Sequence, residues 1–280
     1  GTHHDRVAYR RAFARPAGMA DGERLLLHLG ACDWHCTVYV NGRMTADHTG
    51  GYDAFSVDVT DALRPGAAEQ ELVIVAYDPT DKFGQPRGKQ VSKPEGIWYT
   101  PVTGLWQTVW LEPVPAASID ALRITPDVAG RALRLVVRGR GTAPGQRVRA
   151  VALAGGQEGG RVEGAVGAEL RVPVPSPRLW GPDDPFLYDL RVALVNADGT
   201  EGDRVDAYFG MRTVGKARGA DGHERIVLNG RPVFQLGPLD QGWWPDGLYT
   251  APTDEALRFD VEMTKALGFN MTRKHIKVEP

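Results

Sequence analysis

Arg273, Lys274 and His275 place two permanent cations and an imidazole side by side near one end of the chain. A guanidinium there can orient a carboxylate through charge-assisted hydrogen bonds, or serve a structural ion pair. An imidazole can bond hydroxyl groups. Trp243 and Trp244 are adjacent in PLDQGWWPDGLY, with Asp240 and Asp246 in the same run. Indole faces stack on the flat C–H faces of ring ligands such as sugars, and they equally pack as core. Asp240 and Asp246 can accept from hydroxyls. Asp78 can accept two hydroxyl bonds or bind a cation beside them; the competing reading is a turn-forming aspartate before Pro79. Asp81 is the fallback. Glu279 reads as a surface carboxylate.

With 280 residues the chain has room for two or three domains. A hydrophobic share of 42% and a charged share of 24% are those of a globular protein. The net charge of -2 supplies no basic field for nucleic acid or an anionic membrane surface, and no apolar run of about 18 residues could cross a membrane. The first eleven residues lack the apolar stretch of a signal peptide. The chain begins with Gly rather than Met, so a longer precursor is expected; a cytoplasmic setting is favoured. Cys32 and Cys36 are predicted on one strand face, roughly 13 Å apart, too far for a disulfide. Their expected role is packing.

The elements that must position these residues fall into three regimes. Short alternating strands are predicted from residue 7 to about 112, at 24–28, 36–40, 55–59, 71–77 and 108–111. Asn41-Gly42 marks a hairpin turn. The long segment 78–104, rich in Lys, Gly, Pro and Gln, contains Trp98 and Tyr99 and is expected to be an ordered, functional loop. After a proline-marked linker at 113–115, strands are predicted at 118–124, 133–137, 148–153, 169–174, 187–195 and 205–211, the spacing of an immunoglobulin-type sandwich. The glycine-rich 155–167 is expected to be a mobile loop. Trp98 and Trp106 are expected in the core, and Trp34, Trp110 and Trp180 as core anchors.

Past Gly215 the pattern changes. Residues 226–228, Asn229-Gly230 and 233–236 read as a hairpin leading into an apolar strand. Thr253 is placed to cap a helix whose first turn carries Asp254 and Glu255. Ala256, Phe259, Met263, Ala266 and Leu267 recur at helical spacing, Gly268 ends the helix, and 269–271 begins a strand. Strand, helix, strand is a βαβ unit, the start of a parallel sheet.

Five runs in this order resemble glycoside hydrolase family 2, the β-galactosidases, β-glucuronidases and β-mannosidases. They are LLLHLGACDWHCTVYVNG with GGYDAFSVDVTDAL, then GIWYTPVTGLWQTVWL, then PRLWGPDDPFLYDL with FGMR, then LNGRPVFQLG, then GFNMTRKH. The resemblance implies a mainly β chain. A jelly-roll sugar-binding β-sandwich at 1–115 would be followed by an immunoglobulin-like β-sandwich at 116–214 and the first βαβ of a (β/α)8 TIM barrel at 215–280. It also implies that the first strands of the sandwich lie outside this sequence. The catalytic acid/base Glu, preceded by Asn, and the nucleophilic Glu of the family lie on later barrel strands, so no catalytic residue is expected here and the stretch alone is expected to be inert.

On that resemblance Arg273, His275, Asp240, Trp243 and Trp244 become expected substrate contacts, because barrel residues at C-terminal strand ends face the active site, and Asp78 joins them from the position at which the family's sugar-binding domain extends an acidic residue towards the barrel site. The family's run is Arg, two small residues, then His-Tyr-Pro. Here one residue separates Arg273 from His275, and Ile276-Lys277 replace Tyr-Pro. No cofactor is evident; sodium or magnesium is left open. The expected partners are a carbohydrate substrate and the remaining barrel of the same polypeptide, with oligomerisation open. A non-catalytic carbohydrate-binding protein or an adhesion array would not need the βαβ unit.

Overall fold

The computed structural model describes residues 3–276; Glu279 lies outside them. The chain divides into two compact units, residues 1–113 with 236–280, and residues 114–235.

The first unit opens with a β-sandwich. One sheet holds β1 (Arg6–Phe13), β7 (Gln70–Tyr77), β4 (His35–Val40) and β5 (Arg43–Thr49) in that order; the facing sheet holds β6 (Phe55–Asp58), β2 (Arg24–Leu29) and β9 (Val109–Val114). Short strands β3 (Cys32–Asp33) and β8 (Gly104–Leu105) pair with each other. Alternation decides which side chains turn inward: Leu25, Leu27, Leu29, Val38, Val40 and Ile74 form the core. The β4–β5 hairpin turns at Asn41-Gly42, both with positive φ (52° and 80°), as its turn chemistry requires. Asn41 also donates through Nδ2 to the Gln70 Oε1 and accepts from the Glu71 N–H, tying the turn to β7.

The cysteines do not share one strand. The chain breaks into β3 and β4 between them, and the two buried thiols hydrogen-bond each other. Both remain free. The expected strand-length separation fails because period-two reasoning assumed an unbroken strand.

The second unit is a sandwich of a three-stranded sheet, β10 (Ser118–Asp127), β11 (Ala132–Arg140) and β14 (Glu169–Pro173), and a four-stranded sheet ordered β13 (Gln157–Ala165), β12 (Arg147–Ala154), β15 (Tyr188–Val195), β16 (Glu201–Phe209). Leu133, Leu135, Val148, Leu190, Val192, Phe209 and Met211 fill its core. The glycine-rich 155–167 is not a loop: most of it is β13, paired antiparallel with β12. Its glycines permit close approach, since a Cβ at Gly160 would overlap the Pro173 carbonyl and one at Gly164 would overlap Leu170. A further small sheet, β17 (Val214–Arg218), β18 (Glu224–Leu228) and β19 (Arg231–Pro232), follows.

The C-terminal part of the first unit carries β20 (Leu239–Asp240), α1 (Asp254–Ala266) and β21 (Arg273–Lys274). β20 and β21 pair in parallel, Leu239 against Arg273 and Asp240 against Lys274. This is a βαβ unit with a two-residue ladder. The apolar strand expected at 233–236 is not formed: Phe234 is 83% exposed, and 233–236 join no described strand. The strand expected at 269–271 begins instead at Arg273. Apolar content alone cannot make a strand where no neighbour completes its ladder. Thr253 caps α1, its hydroxyl accepting from the Ala256 N–H at 3.2 Å, and Gly268 leaves the helix at φ 84°.

Candidate functional site

Within the first unit, segment 78–104 and the βαβ segment meet in an aromatic cluster. Ala31, Tyr52, Trp106 and Tyr249 are buried together, with Trp243 packed against them. The Tyr52 and Tyr249 hydroxyls bond at 2.9 Å, the Trp106 indole N–H donates to the Gly51 carbonyl at 2.7 Å, and the Thr250 hydroxyl donates to the Trp106 carbonyl at 2.8 Å. The expectation that Trp106 is core therefore holds.

Trp243 is half-buried between two rings, stacked on Tyr99 at 4.6 Å and tilted against Tyr249 at 4.6 Å. Trp244 is also half-buried and anchors a tight turn through paired backbone bonds with Leu248. Asp240 is not free: Oδ1 accepts from the Gly242 N–H at 2.6 Å and Oδ2 pairs with Lys274 at 2.5 Å. Its carbonyl accepts from the His275 N–H, which fixes where the imidazole starts. Asp246 is exposed. Arg273 is exposed and His275 half-buried. Partial burial pushes the imidazole below its ordinary value, with the charges of Arg273 and Lys89 adding to the effect.

Asp78 corrects its expected role. It is 1% exposed, and its carboxylate accepts from the Thr80 N–H, the Gln85 amide and the Thr103 hydroxyl. The aspartate closes the base of the loop and presents nothing to a ligand. Asp81 likewise accepts from the Ser92 hydroxyl and N–H. Two tryptophans expected inside are outside. Trp98 is 39% exposed, with the Arg87 guanidinium 5.9 Å from its ring. Trp110 is 46% exposed and stacked on His28 across neighbouring strands. Trp34 and Trp180 are half-buried rather than deep anchors. The second unit joins two runs quoted above: Trp180 donates its N–H to the Met211 carbonyl, and the Arg212 guanidinium lies 4.5 Å from the indole.

Three residues central to the cluster were not singled out by sequence reasoning: Gln90, Tyr249 and Lys89. Gln90 is 1% exposed; its amide N–H reaches Asp33 and Tyr52, and its carbonyl accepts from the Val102 N–H at 2.5 Å. The available signal was a long loop dense in Gln, Lys and aromatics. Asp33, also 1% exposed, is pushed up to about 7 by burial first and by the charge of Asp78 second. Among the described residues no group of three or more His, Cys, Asp or Glu is placed to hold a metal ion, and no helix is long and apolar enough to cross a membrane.

The aromatic floor, exposed Trp98, the cations Arg273 and Lys89 and the imidazole of His275 carry groups that can stack a ring ligand and bond its polar rim. The family model of a glycosyl hydrolase 2 galactose-binding domain-like region matches residues 2–99, and that of glycosyl hydrolases family 2 matches residues 117–212. A β-glucuronidase of Paenibacillus borealis is 29% identical over 247 residues, covering 84% of this chain and 40% of that protein. A β-galactosidase of Thermoanaerobacter pseudethanolicus is 25% identical, covering 90% and 34%. The chain thus spans about 40% or less of the length of these relatives. Among solved structures, a β-glucuronidase from Ruminococcus gnavus in complex with D-glucuronic acid shares the fold, with a TM-score of 0.79 and 22% identity over 96% of this chain and 46% of that one. The Bacteroides uniformis β-glucuronidase gives 0.79 and 24%, over 99% of this chain and 34% of that one. With two successive models of one family matched in order along a mainly β chain, the protein belongs to glycosyl hydrolase family 2.

Proposed function

We propose that this chain supplies the sugar-binding and scaffold part of a retaining glycoside hydrolase acting on O-glycosidic bonds of β-linked sugars. Its parts are a sugar-binding sandwich at 1–115, an immunoglobulin-like sandwich at 116–214 and the opening of the barrel at 215–280. The observation that carries the reading is the Tyr99–Trp243 stack, which fastens the sandwich loop to the βαβ segment that also carries Arg273 and His275. The relatives named β-glucuronidase and β-galactosidase support the same class of substrate.

A retaining mechanism needs two carboxyl groups about 5–5.5 Å apart, one nucleophilic and one acid/base. In this reading both come from barrel strands beyond these residues. Arg273 orients one of them, His275 bonds a sugar hydroxyl, and Trp243 and Trp244 give the apolar ring face its contact. Asp240 holds Lys274 and the turn after β20 in place. Asp78 has no part in substrate contact.

The test is direct. The 280-residue chain, incubated with p-nitrophenyl β-glycosides, is expected to release no nitrophenol, yet to show tryptophan fluorescence changes with the sugars themselves. Turnover by this chain alone would defeat the scaffold reading.

A further inference from the structure

Cys32 and Cys36 belong to different sheets. Cys32 lies on β3, opposite Leu105 of β8, whereas Cys36 lies on β4, opposite Ala76 of β7 and His48 of β5. The break between the strands turns both side chains into one core, with Leu25, Val38 and Ala76. Each cysteine is 0% exposed, and thiol meets thiol. Among the described residues no group of three or more His, Cys, Asp or Glu is placed to make a metal site of the pair. The chemistry left to them is with each other.

The contact is asymmetric. The Cys32 S–H donates to the Cys36 sulfur, which holds the proton on Cys32 and draws the Cys36 thiol below its ordinary range. The thiolate is the nucleophile in sulfur oxidation, so Cys36 reacts first. Between the two cysteines stands Asp33, whose carboxylate accepts from the Gln90 amide at 3.4 Å. Gln90 in turn reaches the Tyr52 hydroxyl and the Val102 N–H. The five-residue stretch that holds both thiols therefore also supports the aromatic floor.

We propose that Cys32 and Cys36 are a peroxide-sensitive pair that closes to a reversible disulfide and latches the backbone carrying Asp33. The Cys36 thiolate attacks one oxygen of hydrogen peroxide; an S–O bond forms, the O–O bond breaks, and hydroxide leaves. The Cys32 sulfur then attacks the sulfenic sulfur of Cys36. The S–S bond forms, the S–O bond breaks, and the hydroxyl departs as water with the Cys32 proton. The first hydroxide takes up the proton that Cys36 had released. Two thiols lose two electrons and two protons, and one peroxide becomes two waters. Hydrogen peroxide is little larger than water, which suits a buried pair. The ring closed is short, so its effect on global stability is small and its effect on the corner is local.

Peptide mass spectrometry tests the bond without any sugar ligand. The 280-residue chain is treated with hydrogen peroxide, unfolded in guanidinium chloride, alkylated with iodoacetamide and digested with trypsin. The peptide 25–43 holds both cysteines and no methionine. It is expected to be lighter by two hydrogens, to carry no alkyl group, and to recover two alkylatable thiols after dithiothreitol. Cys32→Ala is expected to leave Cys36 as a sulfenic acid that dimedone captures, and Cys36→Ala to leave Cys32 unoxidised; circular dichroism establishes that both are folded, and the unsubstituted chain decides the bond on its own. Two alkylated cysteines after peroxide, or sulfinic acids in place of the disulfide, overturn the pair. Hydrogen exchange of residues 30–36 and 86–90 is expected to slow in the oxidised chain, and unchanged exchange there overturns the latch.

Discussion

The indole of Trp243 lies on the ring of Tyr99, centroids 4.6 Å apart and planes 23° from parallel. The two residues come from the sandwich loop and the βαβ segment, so their contact is a direct measure of how firmly those parts are joined. A stacked pair contributes about 0.5–1.5 kcal/mol beyond simple burial. A double-mutant cycle of Trp243→Ala and Tyr99→Ala, read by urea unfolding, is expected to give a coupling energy in that range. Strict additivity of the two substitutions would show that the stack joins nothing.

Gln90 organises the floor beneath that stack. Its replacement by Ala removes partners from Asp33, Tyr52 and the Val102 N–H at once. Leaving buried polar groups without partners costs about 1–3 kcal/mol each. Gln90→Ala is expected to lower the unfolding free energy by at least the lower figure and to speed hydrogen exchange in residues 86–104. Unchanged exchange in that segment would remove Gln90 as its anchor.

Asp33 makes stability depend on pH in an unusual direction. Its carboxyl is raised to about 7 in the fold, against an ordinary value of 3.8. Between those values the native state keeps a proton that the unfolded chain has lost, so the contribution of Asp33 to stability is full below about 4 and falls as pH rises to about 7. The slope approaches 1.4 kcal/mol per pH unit. Asp33→Asn is expected to flatten this part of the profile and to be relatively more stable at pH 8 than at pH 4. Parallel profiles for the two proteins, measured by thermal unfolding, would contradict it.

Gly237 sets how the βαβ segment closes on itself. A Cβ at this position would overlap the Met271 carbonyl oxygen, which is backbone and cannot swing aside. Gly237→Ala is therefore expected to separate β20 from β21 and to displace Arg273 and His275, with the two sandwiches retained. Limited proteolysis would reveal cleavage confined to residues beyond 236; a digestion pattern identical to that of the unsubstituted chain would show that the approach is not needed.

Local rules were enough for much of the fold. Alternating hydrophobicity marked β2, β4, β7 and β12, Asn41-Gly42 marked the hairpin, and Thr253 with Gly268 bounded α1, because each depends on neighbours in sequence. The family resemblance rested on runs of the same local kind. Tertiary structure alone decided the rest. Glycines in 155–167 looked mobile, yet they fit β13 against a neighbouring strand that sequence spacing cannot locate. Asp78 looked available for a ligand, yet Thr80, Gln85 and Thr103 enclose it. Trp98 and Trp110 were expected inside and stand exposed, because composition does not say which side of a loop or sheet faces water. The same limit hid the site's organisation: Lys89, Gln90 and Tyr249 carry no motif, and the segment holding Lys89 and Gln90 reaches the one holding Trp243 and Tyr249 only when the chain closes over some 150 residues of intervening sequence. Sequence by itself determined most of the elements and the family, because both rest on neighbours in the chain; packing between distant segments decided which side chains are buried and which stand exposed.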